Sequence, residues 1–453
     1  MMMKKKQDGE QTRGGVVLVP FPSQGRINPM LQLGTILYSQ GFSITVVHPQ
    51  FNCPDPSTHP HFTFESIDDG IPEEDISSWN IWNIIWGLND NCEKPLKEWL
   101  DRRSSKMPDH GHQWRITCVI YDDLMYFASA AASHLKLPSI VLRTNSFATF
   151  LARAAIPLIK PQKYMTGDPV PNLQSLRFKD LPVAKVGLTE DFLRLIPLMI
   201  DTRTTSAVIW NTIECLEKPF LTELQKQCQV PSFPIGPMHK FAPDSTSNLA
   251  NADTGCITWL DKQTDNSVLY VSYGSQVCID EEEATEMAFA LANSEQPFLW
   301  VLRPGLVIGS KWNEFLPEGF TQSVGERGYI AKWAPQKQVL AHPAVGGFWS
   351  HCGWNSTLES ASEGVPMICR PISGDQRVNA RCASHVWAIG LQLDNELLNR
   401  KEMESAVRKL MVDEQGKEMR QMAKLFKEKI QVSITQGGSS YNSLNDLVNF
   451  ISS

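Results

Sequence analysis

The stretch HCGWNSTLE, residues 351–359, puts a histidine, a glycine turn and small polar residues where an apolar strand, GGFWSHCG, runs into a helix. Asn355 and Ser356 are residue types that cap helices, and Ser356 with Glu359 fits an S-x-x-E capping box. A helix start offers backbone N–H groups and a positive dipole end, which suits an anion. His351, just before Gly353, adds a hydrogen bond or a charge. Taken alone, these residues point to phosphate and no further, and an ordinary capped helix accounts for S-x-x-E as well. No G-x-G-x-x-G follows a strand and no G-x-x-x-x-G-K-[ST] occurs, so dinucleotide and P-loop readings lose their main support.

The elements that must position this site alternate along the chain. GVVLVPF (15–21), a helix carrying Pro29, and FSITVVH (42–48) form a βαβ unit, the mark of a parallel sheet. ITCVIYD (116–122), SIVLRTN (139–145) and AVIWNT (207–212) read as further buried strands. A second series holds SVLYVSYGS (267–275), PFLWVLR (297–303), GYIAKW (328–333), VGGFWSHCG (345–353) and PMICRP (366–371). The stretch between the series is rich in Pro, Ser, Asn and Asp and reads as a linker. The expected architecture is α/β, two doubly wound Rossmann-like domains with a cleft between them, because ligands in such sheets bind beyond the carboxyl ends of the strands.

The chain of 453 residues is long enough for more than one domain, and its 42% hydrophobic and 20% charged residues are ordinary for a globular protein. A net charge of −7 disfavours nucleic acid or anionic membrane as a partner. Ten cysteines are scattered with no C-x-x-C pair, which suits reduced thiols in the cytoplasm. The first 14 residues are polar and read as disordered, not as a signal peptide. No run of about 18 apolar residues is present to span a membrane.

Residues 333–376, WAPQKQVLAHPAVGGFWSHCGWNSTLESASEGVPMICRPISGDQ, closely resemble the signature segment of plant UDP-dependent glycosyltransferases, glycosyltransferase family 1. LQLGTILYSQGFSIT, HPHFTF, FLWVLRPG and GGSSYNSLNDLVNFISS extend the similarity over nearly the whole chain, which looks closest to the group of the stevia diterpene glucosyltransferase. The resemblance implies the two-domain GT-B fold. It implies an acceptor-binding domain over 15–236, a linker over 237–254, a UDP-sugar-binding domain over 255–437, and a helix over 438–453 packing back on the first domain. The activity implied is inverting transfer of glucose from UDP-glucose, as co-substrate, to a small plant metabolite, with a phenol, a carboxylate or a terpenoid as the candidate acceptors. No cofactor and no metal are implied, since Asp122-Asp123 is not a spaced D-x-D. A monomer is expected.

On the same resemblance Trp333 stacks on uracil, with Ala334 offering backbone hydrogen bonds to it. Gln336 and Glu359 bind the ribose. His351, Asn355, Ser356 and Ser275 hold the diphosphate beside Gly353. Trp354, Asp375 and Gln376 contact the sugar, the glutamine going with glucose. Met125 and Tyr126 are acceptor-pocket positions. Trp79, Trp82 and Trp86 fall on one helical face and either line an apolar pocket or pack as core.

One position departs. Arg26, in FPSQGRINPM, stands where the family carries its catalytic histidine, while the partner aspartate is matched by Asp122. Arginine stays protonated and cannot act as base. Three readings follow. Arg26 and Asp122 form a salt bridge and the protein is a crippled enzyme or a silent binder; the acceptor is already ionised and Arg26 orients it; or Asp122 or a water takes the proton slowly.

Overall fold

The computed structural model describes residues 13–105, 115–159, 163, 166–182, 189–242, 253–310, 312–393 and 399–453. Of the stretch expected to be disordered, 1–12 lies outside these; Arg13 and Gly14 are bonded to the backbone of Gly41 and Ser43. The middle of the expected linker, 243–252, also lies outside them.

The chain divides into two compact units, one of Met1–Phe150, Leu188–Ser247 and Ser433–Ser453, the other of Leu151–Gly187 and Asn248–Val432. The first unit runs past the expected boundary at 236, and 151–187, expected within the first domain, clusters with the second series of strands. Arg381 supplies a physical reason: its Nε donates to the Ser175 carbonyl at 3.0 Å and lies 3.6 Å from Asp180.

In the first unit the strands are β1 (Gly15–Val19), β2 (Ser43–Pro49), β3 (Thr63–Ile67), β4 (Ile116–Asp122) and β5 (Ser139–Arg143). A small antiparallel pair, β6 (Pro169–Val170) and β7 (Leu173–Arg177), belongs to the second unit; β8 (Ala207–Trp210) and β9 (Ser232–Pro234) complete the first. Their order is β3-β2-β1-β4-β5-β8-β9, all parallel. The central strands are near-continuous apolar runs, as a sheet covered on both faces requires. The helix Ser439–Ser452 returns to this core, with Leu444, Leu447, Val448 and Ile451 buried in one cluster with Val16, Leu18 and Ile44.

The second unit holds β10 (Val268–Ser272), β11 (Phe298–Val301), β12 (Gly328–Ala331), β13 (Val345–Ser350), β14 (Met367–Cys369) and β15 (Gly390–Gln392). These are parallel in the order β12-β11-β10-β13-β14-β15. Sheet order reverses between β1 and β4 in one unit and between β10 and β13 in the other. Each reversal opens a crevice at the carboxyl edge, where ligands bind in such sheets. Among the described residues no helix is long and apolar enough to cross a membrane, and the ten cysteines are free thiols.

Candidate active site

At the second unit's reversal, β13 ends at Ser350, and His351, Cys352 and Gly353 lead into the helix Trp354–Glu363. Cys352 has φ 64°, a left-handed conformation that costs a non-glycine residue about 1 kcal/mol or more. It is held from both sides. Its N–H donates to Ser350 Oγ at 3.1 Å, and its carbonyl accepts from Asn379 Nδ2 at 3.0 Å. Asn379 also donates to Asp375 at 3.1 Å, tying that carboxylate to the same turn.

The His351 ring lies between two glycines. A Cβ on Gly274, after β10, would stand 2.7 Å from Cε1, and one on Gly353 would stand 2.5 Å from Nε2. No side chain fits at either position without moving the imidazole. Desolvation lowers the His351 pKa to about 4, with the Ser272 backbone opposing and the Arg303 charge adding to the fall. The ring is thus neutral near pH 7, a hydrogen-bonding group and not a cation.

The expected capping box is not formed. The N-cap is Gly353, which has no side chain to offer, and Ser356 lies inside the helix. Instead Gln336, at the start of the helix Gln336–Ala341, donates through Nε2 to Ser356 Oγ at 2.9 Å and to Glu359 Oε2 at 2.7 Å. Tyr270 donates to its Oε1 at 3.3 Å. Three expected donor-site residues therefore converge, and the glutamine orients the carboxylate. Trp333 is half-buried and its carbonyl accepts from Asp253 at 2.8 Å; Ala334 beside it is buried. Ser275 is exposed on the loop after β10, and Asn355 sits in the first turn of the Trp354 helix. Trp354 is buried, its indole 6.2 Å from that of Trp387, so the ring packs in the core. Gln376 Oε1 accepts from the N–H groups of Ile372 and Ser373 at 2.9 and 3.0 Å and shapes its own loop.

The first unit's reversal carries charge. Arg26 stands in the first turn of the helix Gln24–Ser39, after β1, and Asp122 is the last residue of the neighbouring β4. Arg26 Nη1 donates to Asp122 Oδ1 at 2.7 Å and also to Asp123 Oδ1. Asp123 Oδ2 accepts from Arg143 Nη1 at 3.3 Å, at the end of β5. The Arg143 guanidinium lies 4.7 Å from the Phe150 ring centre and 5.4 Å from that of Trp210. Two cations and two anions thus form a buried, balanced cluster across three strand ends. Burial opposes the Arg26 charge, but Asp122 and Asp123 outweigh it and hold the guanidinium protonated well above its ordinary range. Burial also pushes the Asp122 carboxyl above its ordinary range, with Arg26 pulling it back and Asp123 adding to the rise. The Arg26 side chain keeps 16% of its surface, and both bonds use one nitrogen, so Nη2 and Nε stay available on the open side.

Next to the cluster, Met125 is buried with its N–H on the Asp122 carbonyl at 2.8 Å. Tyr126 is half-buried, its phenol pushed up to about 12 by burial and then by Asp90, with Arg194 opposing. Trp82 and Trp86 lie on the helix Ile81–Asn91 and meet the helix Glu190–Ile200. Trp82 faces Phe192 at 6.2 Å, while Trp86 donates to Asp191 at 3.0 Å beneath the Arg194 guanidinium. Trp79 does not share their face: it sits at φ 49° in the turn before that helix, whose cap is Asn80. The regular spacing of the three indoles counted through a break that periodicity cannot register.

Asp123, Arg143, Asn379 and Arg303 were missed in the sequence. Arg143 had a signal, since an arginine inside the apolar run SIVLRTN must find a buried partner. The others become visible only through contacts distant in sequence.

Two parallel-sheet units, each with its order reversed beside the central strand, have the GT-B fold. The chain matches the model of the UDP-glucoronosyl and UDP-glucosyl transferase family over residues 106–430. It belongs to that family and is a UDP-glycosyltransferase. It is 49% identical to UDP-glycosyltransferase 76E1 of Solanum lycopersicum, over 98% of this chain and 93% of that protein. It is 47% identical to flavonol 3-O-glucosyltransferase UGT76E12 of Arabidopsis thaliana, over 97% of each. Among solved structures it is similar to Os79 from O. sativa in complex with UDP, with TM-score 0.83 and 26% identity over 96% of this chain and 100% of that one. The fold is also that of Medicago truncatula UGT71G1 complexed with UDP-glucose, with TM-score 0.81 and 22% identity over 97% of this chain and 98% of that one.

Proposed function

We propose that this chain transfers glucose from UDP-glucose, in the cytoplasm and as a monomer, to a small plant metabolite whose accepting group ionises readily, an acidic phenol or a carboxylate. The observation that carries the acceptor class is the Arg26–Asp122 pair at 2.7 Å with the outer guanidinium nitrogens left over. A group that cannot accept a proton stands where the family resemblance places the base. An acceptor that arrives as an anion needs no base. Its oxygen attacks the anomeric carbon, the bond from that carbon to the UDP oxygen breaks with inversion, and no proton is left over. The free edge of Arg26 suits a carboxylate or phenolate, because guanidinium donors form strong charge-assisted bonds. The similarity to a flavonol glucosyltransferase supports a phenolic acceptor.

On the donor side, Trp333 stacks on uracil next to Ala334, and Gln336 and Glu359 hold the ribose. Ser275, His351, Asn355 and Ser356 hold the diphosphate at the Gly353 turn, while Asp375, Gln376 and the backbone near Trp354 meet the sugar. Met125, Tyr126, Trp82 and Trp86 form the acceptor wall. A second reading, a silent UDP-sugar or metabolite binder, is favoured by the neutral balance of the Arg26 cluster. Turnover of the Arg26 and Arg26→His proteins with UDP-glucose and a panel of carboxylic, phenolic and aliphatic acceptors separates the two. Turnover by the arginine protein on acidic acceptors alone supports the first. Turnover by the histidine protein only, on every acceptor, establishes the second.

A further inference from the structure

Arg303 lies two residues beyond β11, at the carboxyl edge that carries His351 and the loop after β10. Its guanidinium straddles that loop. Nε donates to the Gly274 carbonyl at 2.9 Å, and Nη2 donates to the carbonyl of Val277. Nη1 donates to the carbonyl of Pro304 at 3.3 Å. All three oxygens are uncharged, and among the described residues no carboxylate lies within ion-pair distance of this side chain. Arg370, by contrast, is neutralised by Glu283 at 2.9 Å and Arg400 by Glu286, while Arg327 and Arg420 also donate to backbone carbonyls but do not hold the loop after β10. Arg303 therefore keeps a whole positive charge, partly buried, on a frame of backbone oxygens.

We infer that Arg303 is a positioning residue of the donor site, setting the Gly274–Val277 loop and supplying a standing positive charge for a bound diphosphate. This rests on the donor-site reading above. The two functions belong to one fork: a planar guanidinium spans two carbonyls at fixed separation, and a lysine ammonium cannot. The loop it holds carries Gly274, whose bare Cα makes room for the His351 ring, and Ser275. The charge is needed because His351 is itself neutral, kept so chiefly by burial with the Arg303 charge adding to it. When the anomeric bond breaks, the leaving UDP gains a unit of negative charge. A fixed cation nearby stabilises that state without reorganising.

Calorimetry with UDP and with uridine, on the full-length protein and on Arg303→Gln and Arg303→Lys, tests this. For Arg303→Gln the expected result is UDP affinity lower by about 10- to 100-fold, as for a charged hydrogen-bonding group, with uridine affinity within about twofold of the parent. Arg303→Lys, which keeps the charge and gives up the fork, should lose less, and again for UDP alone. Equal losses for UDP and uridine would mean a purely structural role and overturn the inference, as would unchanged UDP affinity in Arg303→Gln. If the glutamine protein does not fold, the lysine protein decides by the same split: selective UDP loss supports the inference and unchanged affinity overturns it. Failure of the parent protein to bind UDP sinks the donor-site reading instead.

Discussion

Arg26 Nη1 and Asp122 Oδ1 are 2.7 Å apart across the seam between β1 and β4, so a charge pair sits where the first sheet reverses its order. The pair draws Asp123 and Arg143 in behind it, and its outer edge still faces solvent.

The outer edge gives the first prediction. Arg26→Met should raise KM for an acidic phenol or carboxylate acceptor by about 10- to 100-fold, the worth of a hydrogen bond to a charged group. UDP affinity should be unchanged, because the donor residues lie on the other sheet. Steady-state kinetics with varied acceptor, beside UDP calorimetry, would check both. An unaltered acceptor KM removes Arg26 from acceptor binding.

Arg143 and Asp123 each retain 1% of their side-chain surface. Removing one partner of a buried ion pair leaves the other uncompensated and costs about 3–5 kcal/mol. Asp123→Ala should lower unfolding stability by about that much in urea titrations. The Asp123→Asn/Arg143→Met double variant should lose less than the sum of its singles, because it removes both charges together.

Gly353 has φ −58°, which any residue can adopt, so alanine there brings contact without backbone strain. Its Cβ would lie 2.5 Å from His351 Nε2 and must push the ring aside. Gly353→Ala should fold normally and lower kcat/KM for UDP-glucose by about 100-fold, as displacement of a site group by an ångström does. Full activity would show that the ring position is not needed.

Glu217 is fully buried and accepts from the N–H of Phe147 at a helix start. Burial raises its pKa from 4.5 to about 8, against hydrogen bonds from Phe147, Ala148 and Thr212. The folded chain then holds this proton more tightly than the unfolded chain. Its contribution is fully present below pH 4.5 and is lost as pH rises through about 8. Glu217→Gln should flatten that part of the stability profile; an unchanged slope in urea titrations across the range would exclude Glu217 as its source.

What the sequence disclosed and what it hid follow from the range of the interactions. β1, β2, β4, β10 and β13 are mostly apolar runs, and local pattern alone locates them. β14, of three residues, was legible in PMICRP, whereas β9 and β15, equally short, lie at sheet edges and are interrupted by Ser, Pro, Gly or Gln. The Trp354 helix was visible, but its cap was misplaced. Ser356 has a suitable side chain at suitable spacing, yet Gln336 takes its hydroxyl from another helix. The clustering of 151–187 with the second unit rests on contacts distant in sequence, the Arg381 bond to Ser175 among them. The charge at Arg26 was legible as a chemical anomaly, whereas its double pairing required Asp123 to be seen between two arginines.

The final helix, Ser439–Ser452, lends four side chains to the same hydrophobic cluster as the first strand. The first unit's core is therefore complete only once a segment that follows the second unit in the sequence has been made. Removing this helix would strip side chains from the first unit's core and none from the cluster of the second sheet.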